Sequence, residues 1–226
     1  MDLFEHVTNR RRFLSTVAYA TTAVSATNLF AEELTRTPRQ TPGPFFPDRL
    51  PLDTDNDLLI INDSIKPSVG QVTHLSGKIL TENGSPLRNA LVEVWQVDNE
   101  GSYLHSRGAN PQNGNKRDAN FQGYGKFLTS STGEYYFRTI KPVSYPGRTP
   151  HIHYKVSAPG EPDFVTQCYI KGHPQNARDG VLQRSVRDPK GQAALMADFQ
   201  PLPNSRTNEL TAKFNVVLGV TPRDAK

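Results

Sequence analysis

The sequence predicts an all-β protein, an antiparallel β-sandwich with long loops that carry its site and an extended N-terminal arm. Three observations point there. Eighteen prolines and sixteen glycines in 226 residues leave little room for a helical bundle. From Val72 onward, short runs alternate apolar and polar residues, the two-residue period of a strand with one buried face. Turn residues separate those runs, beginning with Glu82-Asn83-Gly84-Ser85 and Asp98-Asn99-Glu100-Gly101.

The N-terminus reads differently from the rest. Asn9-Arg10-Arg11-Arg12-Phe13-Leu14 precedes a mildly apolar run rich in Ala, Thr and Val, with small residues at Val24-Ser25-Ala26 and Leu29-Phe30-Ala31. That pattern predicts a signal peptide of the twin-arginine type over residues 1–31, too short and too polar to span a bilayer. An amphipathic N-terminal helix is the alternative. Twin-arginine export moves folded proteins, which suits a cofactor loaded in the cytoplasm and a periplasmic or extracellular destination.

Residues 32–66 form a connector and the arm. The stretch to Gln40 is polar and reads as a mobile link. Thr41-Pro42-Gly43-Pro44-Phe45-Phe46-Pro47 is held extended by its prolines, and its two aromatics suit packing across a sandwich or a neighbouring subunit. Leu58 to Ile61 is one short apolar run.

The sandwich domain occupies 67–226. Val72 to Leu80 alternates, and Ala90 to Val97 is the strongest strand, with Val92, Val94 and Gln96 on one face. Lys126 to Thr129 and Gly133 to Ile140 make a hairpin; Thr149 to Ser157, Phe164 to Ile170 and Ala212 to Leu218 complete the strands. Gly191 to Asp198 reads as a brief helix. Ser102 to Gly125 is a long polar loop, a length that in a compact domain goes with function or disorder.

Charge and cysteine content narrow the function. A formal net charge of +4 with no dense basic stripe does not suggest nucleic acid, and local attraction of an anionic small molecule is a better use of the cations. Cys168 is the one cysteine, so no intrachain disulfide forms; beside Tyr169 and Ile170 it reads as a small buried apolar residue.

The chemistry concentrates at Tyr145-Pro146-Gly147-Arg148-Thr149-Pro150-His151-Ile152-His153. On a strand, the two histidines share one face. No acidic residue accompanies them at close spacing, which argues against a two-histidine, one-carboxylate iron(II) site, and no third histidine stands near enough to suggest catalytic zinc. Phenols do stand near, at Tyr145 and Tyr103. Phenolate is a hard anionic donor suited to a ferric ion, and two phenolates with two neutral imidazoles leave iron(III) one residual positive charge. Tyr135 and Tyr136 read as strand-edge aromatics with hydroxyls in water, His105 as a loop residue near the site, and His74 and His173 as surface groups.

Over roughly Thr41 to Gly219 the chain resembles the intradiol ring-cleaving dioxygenases, most closely the iron-bearing subunit of the protocatechuate 3,4-dioxygenases. The resemblance rests on Pro42-Gly43-Pro44-Phe45-Phe46, Leu91-Val92-Glu93-Val94-Trp95-Gln96, Gly101-Ser102-Tyr103 with His105, Gly133 through Pro142, and Arg148 through His153. It implies a non-haem Fe(III) cofactor held by Tyr103, Tyr145, His151 and His153. It also implies that Tyr103 leaves the metal when substrate binds and serves as a base, that Arg148 lies beside the substrate ring, and that Gln167 lines the same pocket. The implied reaction joins a catechol-type substrate with O2 and opens the ring between its hydroxylated carbons to a cis,cis-muconate-type diacid. Implied partners are further copies of the chain or an iron-less homologous subunit. Two departures stand out. The segment from Tyr145 to His151 is shorter than in the protocatechuate enzymes, and Gly147 stands roughly where they carry a tryptophan. The chain also lacks the long helical N-terminal linker of the catechol and hydroxyquinol branch.

Two rivals remain at this level. A non-catalytic exported β-sandwich binding module would keep the strands and the Trp95 core without needing Tyr103. Zinc or copper on the histidines is the other, distinguished by metal analysis and by a tyrosinate-to-iron band in the visible.

Overall fold

The strands expected from Val72 onward assemble into two five-stranded sheets in the computed structural model, which describes residues 34–51, 53–61 and 66–219. The expected export signal lies outside the described residues. In the first sheet, β1 (Val72–Thr81) pairs antiparallel with β4 (Glu134–Ile140) along one side. Along its other side it pairs parallel with β9 (Leu210–Lys213) and then β10 (Val216–Leu218), and β8 (Phe199–Pro201) flanks β9. The second sheet runs β3 (Tyr124–Leu128), β2 (Leu91–Trp95), β5 (His151–Ser157), β6 (Phe164–Ile170), β7 (Met196–Ala197).

The sheets are not wholly antiparallel, contrary to expectation. Pairings β1–β9, β1–β10 and β6–β7 are parallel. Parallel neighbours need a long crossover, and the 25 residues between β6 and β7 supply one with two short helices, α1 (Gly180–Ser185) and α2 (Pro189–Ala193). The helix expected over 191–198 therefore starts and ends early. Asp188 caps it, accepting from the Gly191 amide at 2.7 Å with Pro189 at the first helical position. The apolar residues beyond join the sheet edge, where Tyr169 N donates to the Leu195 carbonyl at 2.8 Å.

The expected strand over Ala212 to Leu218 is likewise two strands. Phe214 breaks away to donate its amide to Ser76, and its carbonyl crosses over Gly77 of β1. A Cβ at Gly77 would stand 1.9 Å from that carbonyl oxygen, so only glycine lets the two backbones approach. Tyr135 uses the opening: its hydroxyl donates to the Phe214 carbonyl and lies 3.3 Å from the Tyr154 hydroxyl. Tyr135 is thus a core residue, not a strand-edge one, because its place on β4 faces the shared interior. Tyr136, one residue on, does face outward, with its hydroxyl on His74 Nδ1 at 2.6 Å.

One apolar cluster draws on both sheets, including Leu75, Ile79 and Phe137 from the first and Val92, Val94, Ile152, Tyr154 and Cys168 from the second. Cys168 is fully buried, as expected. Residues 34–40, read as a mobile link, are instead bonded in place. Thr37 N donates to Val217 O, Gln40 N donates to Val165 O, and Thr37 and Gln40 are buried. The arm continues over one end of the second sheet, where the candidate site lies.

Candidate metal centre

Three pieces of chain deliver four donor atoms to one point. β5 supplies His151 and His153 on one face. Its register sets His153 opposite Trp95 on β2 and opposite Gln167 on β6, so these three lie in one row across the sheet. The Trp95 ring stacks on the His153 imidazole at 4.7 Å and 5° between planes, which fixes the ring's plane.

The turn before β5 supplies Tyr145 and Arg148. Arg148 N donates to Tyr145 O at 2.9 Å, with Pro146 and Gly147 between and Gly147 at φ +77°. Proline second and glycine third, with positive φ, is the demand of a type II turn, so the sequence chooses this geometry locally. A Cβ at Gly147 would meet nothing within 4 Å, and a cavity of about 170 Å³ opens there, bounded also by Arg148, Thr149, Gln175, Arg178 and Asp179.

The long loop supplies Tyr103, and it is ordered by its own buried carboxylate. Asp98 accepts the amides of Glu100 and Ser102, each at 2.9 Å, and that of Asp118 at 2.7 Å. Tyr103 N then donates to Gly108 O, and Phe45 of the arm stacks on the Tyr103 ring at 5.2 Å. Phe46 meets Trp95 edge-on at 5.0 Å.

Tyr103 Oη lies 3.0 Å from His153 Nε2, 3.3 Å from His151 Nε2 and 3.5 Å from Tyr145 Oη, and the two Nε2 atoms lie 3.2 Å apart. Donors bound to one first-row metal ion at about 2.0–2.2 Å stand roughly 2.9–3.6 Å from their neighbours, so the cluster has the spacing of a ligand set. His151 Nδ1–H donates to the Thr149 carbonyl at 2.7 Å, which leaves its Nε2 lone pair facing the cluster. His153 Nδ1 and Trp95 Nε1 are buried without a hydrogen-bond partner. Among the described residues no three His, Cys, Asp or Glu side chains converge on a point, so a metal here needs the phenols to complete its shell.

Electrostatics agree with a cation. Burial, and after it Arg148, pushes His151 down to about 3. Burial, then His151 and Arg148, holds His153 well below its ordinary 6.5. Both imidazoles are therefore neutral, the form that donates to a metal. Burial and then Tyr145 push the Tyr103 phenol well above 10.0, and a bound cation is the kind of charge that reverses this.

Arg148 and Gln167 complete the surroundings. Arg148 Nη1 donates to Tyr145 Oη at 3.4 Å and Nη2 donates to Gln167 Oε1 at 2.7 Å. Gln167 Nε2 donates to the Thr41 carbonyl at 2.8 Å and Tyr169 Oη donates to Gln167 Oε1 at 2.8 Å, so Gln167 also anchors the arm. All six residues singled out in the sequence are thus brought together. His105 sits edge-on to Phe45, and His74 and His173 lie elsewhere, His173 capping the 3₁₀ turn Pro174–Arg178. The sequence reading missed Phe45 as the ring on Tyr103, Trp95 as the ring on His153, and Asp179. The last had a signal: Asp179 before Gly180-Val181-Leu182 is a helix N-cap pattern.

A family model described as Dioxygenase matches residues 41–219. The protocatechuate 3,4-dioxygenase beta chain of Burkholderia cepacia is 33% identical over 182 residues, covering 74% of this chain and 72% of that protein. A hydroxyquinol 1,2-dioxygenase of Rhizobium sp. (strain MTP-10005) is 32% identical over 161 residues, 62% of this chain but only 50% of that protein's length. The dioxygenase domain of a dioxygenase carbohydrate-binding protein fusion from Streptomyces sp. SirexAA-E superposes with a TM-score of 0.61 at 30% identity, covering 83% of this chain and 100% of that one.

Proposed function

The chain belongs to the intradiol ring-cleaving dioxygenases, and from that premise we propose that it opens a protocatechuate-like catechol between its two hydroxylated carbons, using O2 and non-haem iron(III), to a cis,cis-muconate-type diacid. The observation that carries the proposal is that Tyr103 Oη lies 3.0 to 3.5 Å from Tyr145 Oη and from both imidazole Nε2 atoms, which are themselves 3.2 Å apart. Tyr103, Tyr145, His151 and His153 would hold the iron. When bound, iron(III) supplies Lewis acidity that eases ionisation of the diol and opens the electron-rich ring to oxygen.

The chain's own groups do the rest. Tyr103, ionised when the iron is bound, would take the proton of one substrate hydroxyl at its Oη as a positioned base. Arg148 presents a fixed cation to negative charge developing on the ring, and it needs no reorganisation because Gln167 already holds it. Phe45, Phe46 and Trp95 keep water from one side. The cavity beside Gly147 and Arg148 is read as room for a substituent on the ring. A non-catalytic binding module, by contrast, leaves four converging donors without a role. The two sheets with their shared apolar cluster are read here as the sandwich that the sequence predicts.

Oxygen uptake against a panel of catechols, protocatechuate first, tests the reaction, together with iron content and the visible tyrosinate band. The expected result is a muconate-type product from the wild type and none from His151→Ala; equal turnover by both would reject the reading.

Two further proposals concern the whole protein. Residues 1–31 direct twin-arginine export, a reading supported by Arg10-Arg11-Arg12-Phe13-Leu14; replacing these arginines by lysine should hold the protein in the cytoplasm on fractionation. Assembly, with its own copies or with an iron-less homologous subunit, is supported by the likeness to a beta chain, and sizing of the purified protein alone and from its native host separates the two. Among the described residues, no helix is long and apolar enough to cross a membrane.

A further inference from the structure

Asp179 has no assigned role in the reading above, yet its side chain is entirely buried and four N–H groups converge on it. Oδ1 accepts from the amides of Val181 and Leu182, each at 2.9 Å. Oδ2 accepts from the Thr149 amide and from Arg148 Nε, each at 2.9 Å. A carboxylate offers about four acceptor directions, so this one is saturated and cannot take a proton from substrate. It engages Arg148 side-on, through Nε alone. Both terminal nitrogens are left for the site, Nη1 on Tyr145 Oη at 3.4 Å and Nη2 on Gln167 Oε1 at 2.7 Å. The same Oδ2 holds the Thr149 amide, two residues before His151, so the guanidinium and the start of β5 share one anchor. The Arg148 side chain is 12% exposed, so little solvent competes for it.

We propose that Asp179 is the positioning residue of the site's cation, turning Arg148 so that its terminal nitrogens face Tyr145 and Gln167. Its functional meaning rests on the ring-cleaving reading; its geometry does not. Burial alone would raise the Asp179 carboxyl, but the Leu182 and Thr149 amides and Arg148 outweigh it and hold it below its ordinary value, so the anchor is an anion. Burial alone would lower Arg148, but Tyr145 and Asp179 outweigh it and the cation persists. The competing role is capping of α1 and nothing more.

Asp179→Ser separates the two, because serine caps a helix about as well as aspartate but is too short to keep both the cap and the guanidinium. In the full-length, iron-loaded protein, positioning predicts a kcat lower by about 10- to 100-fold, with KM for a catechol changed less and with iron content retained. In an Arg148→Met background the same substitution should cost no further kcat, because the residue it positions is gone. An equal loss in both backgrounds overturns the proposal and leaves a cap. A crystal structure of Asp179→Ser gives a readout free of turnover: Nη1 and Nη2 released from Tyr145 and Gln167 support positioning, and an unmoved guanidinium refutes it. If no catechol is cleaved by the wild type, the ring-cleaving reading fails while that structural outcome still decides the role of Asp179. Should the serine variant not fold, Asp179→Asn keeps a capping oxygen and turns an N–H towards Arg148 Nε–H, and the same two measurements apply.

Discussion

Two pairs of tyrosine hydroxyls meet inside this protein at nearly the same spacing, 3.3 Å between Tyr135 and Tyr154 and 3.5 Å between Tyr103 and Tyr145. The first pair lies in the shared core and is closed by the Phe214 carbonyl. The second is completed by two imidazole Nε2 atoms, with Arg148 at its flank. Burial pushes Tyr135, Tyr154 and Tyr103 all well above 10.0. Phenol spacing therefore does not distinguish a packing pair from a ligand pair, and Tyr145 alone of the four is only half-buried. What distinguishes them is the partner. A carbonyl accepts the phenol's proton in a hydrogen bond and favours the neutral form. Neutral imidazoles aimed at the same point call for a cation.

The largest expected break is at the imidazoles. His151→Ala should lose bound iron and take ring cleavage below detection while the core pair and the melting transition persist, checked by metal analysis, oxygen uptake and calorimetry. Next comes Tyr103→Phe, which removes the base. It should lower kcat by about 10²–10⁴-fold and alter the visible band, with the urea midpoint nearly unchanged. If turnover survives intact, Tyr103 belongs with the packing tyrosines.

Substitutions in the core should show the reverse split. Gly77→Ala drives a Cβ against the Phe214 carbonyl, 1.9 Å away, and should destabilise by about 3 kcal/mol, the upper end for overpacking. Tyr135→Phe leaves that buried carbonyl without its side-chain donor and should cost about 1–3 kcal/mol in urea unfolding, with the iron band unaltered. The smallest effect is a pH dependence at the site's flank. Because the folded Asp179 carboxyl lies below 3.8, its contribution is fully present above that value and is lost as pH falls through the lower folded value. The stability gap between wild type and Asp179→Asn should therefore hold constant above about pH 5 and narrow in more acid solution. A gap that widens on acidification contradicts the assignment.

Much of this was legible in the chain, and the pattern of what was not is physical. His151 and His153 announced a shared face because strand periodicity is local, whereas the turn that delivers Tyr145 and Arg148 went unread although Pro146-Gly147 carries its local signal. Val72 to Thr81 alternates in burial along its whole length. Long-range partners were not legible. Nothing near Tyr135 in sequence foretells the Phe214 carbonyl, 79 residues away, or the glycine that admits it. Gln40 reads as a polar linker residue until Ser185 and Tyr169 appear beside it. The parallel pairings of β1 with β9 and β10 depend on the path of the crossover, which alternation does not encode.

The amide of Gln167 grips the arm at Thr41 with one end and the Arg148 guanidinium with the other. Tension applied from the N-terminal side would thus reach the reactive centre once the bonds of Thr37 and Gln40 upstream give way. A protein tethered by that end, or pulled through a pore, should fall silent while still folded. Its turnover would then act as a force gauge, reporting strain on the tether well below the load that unfolds it.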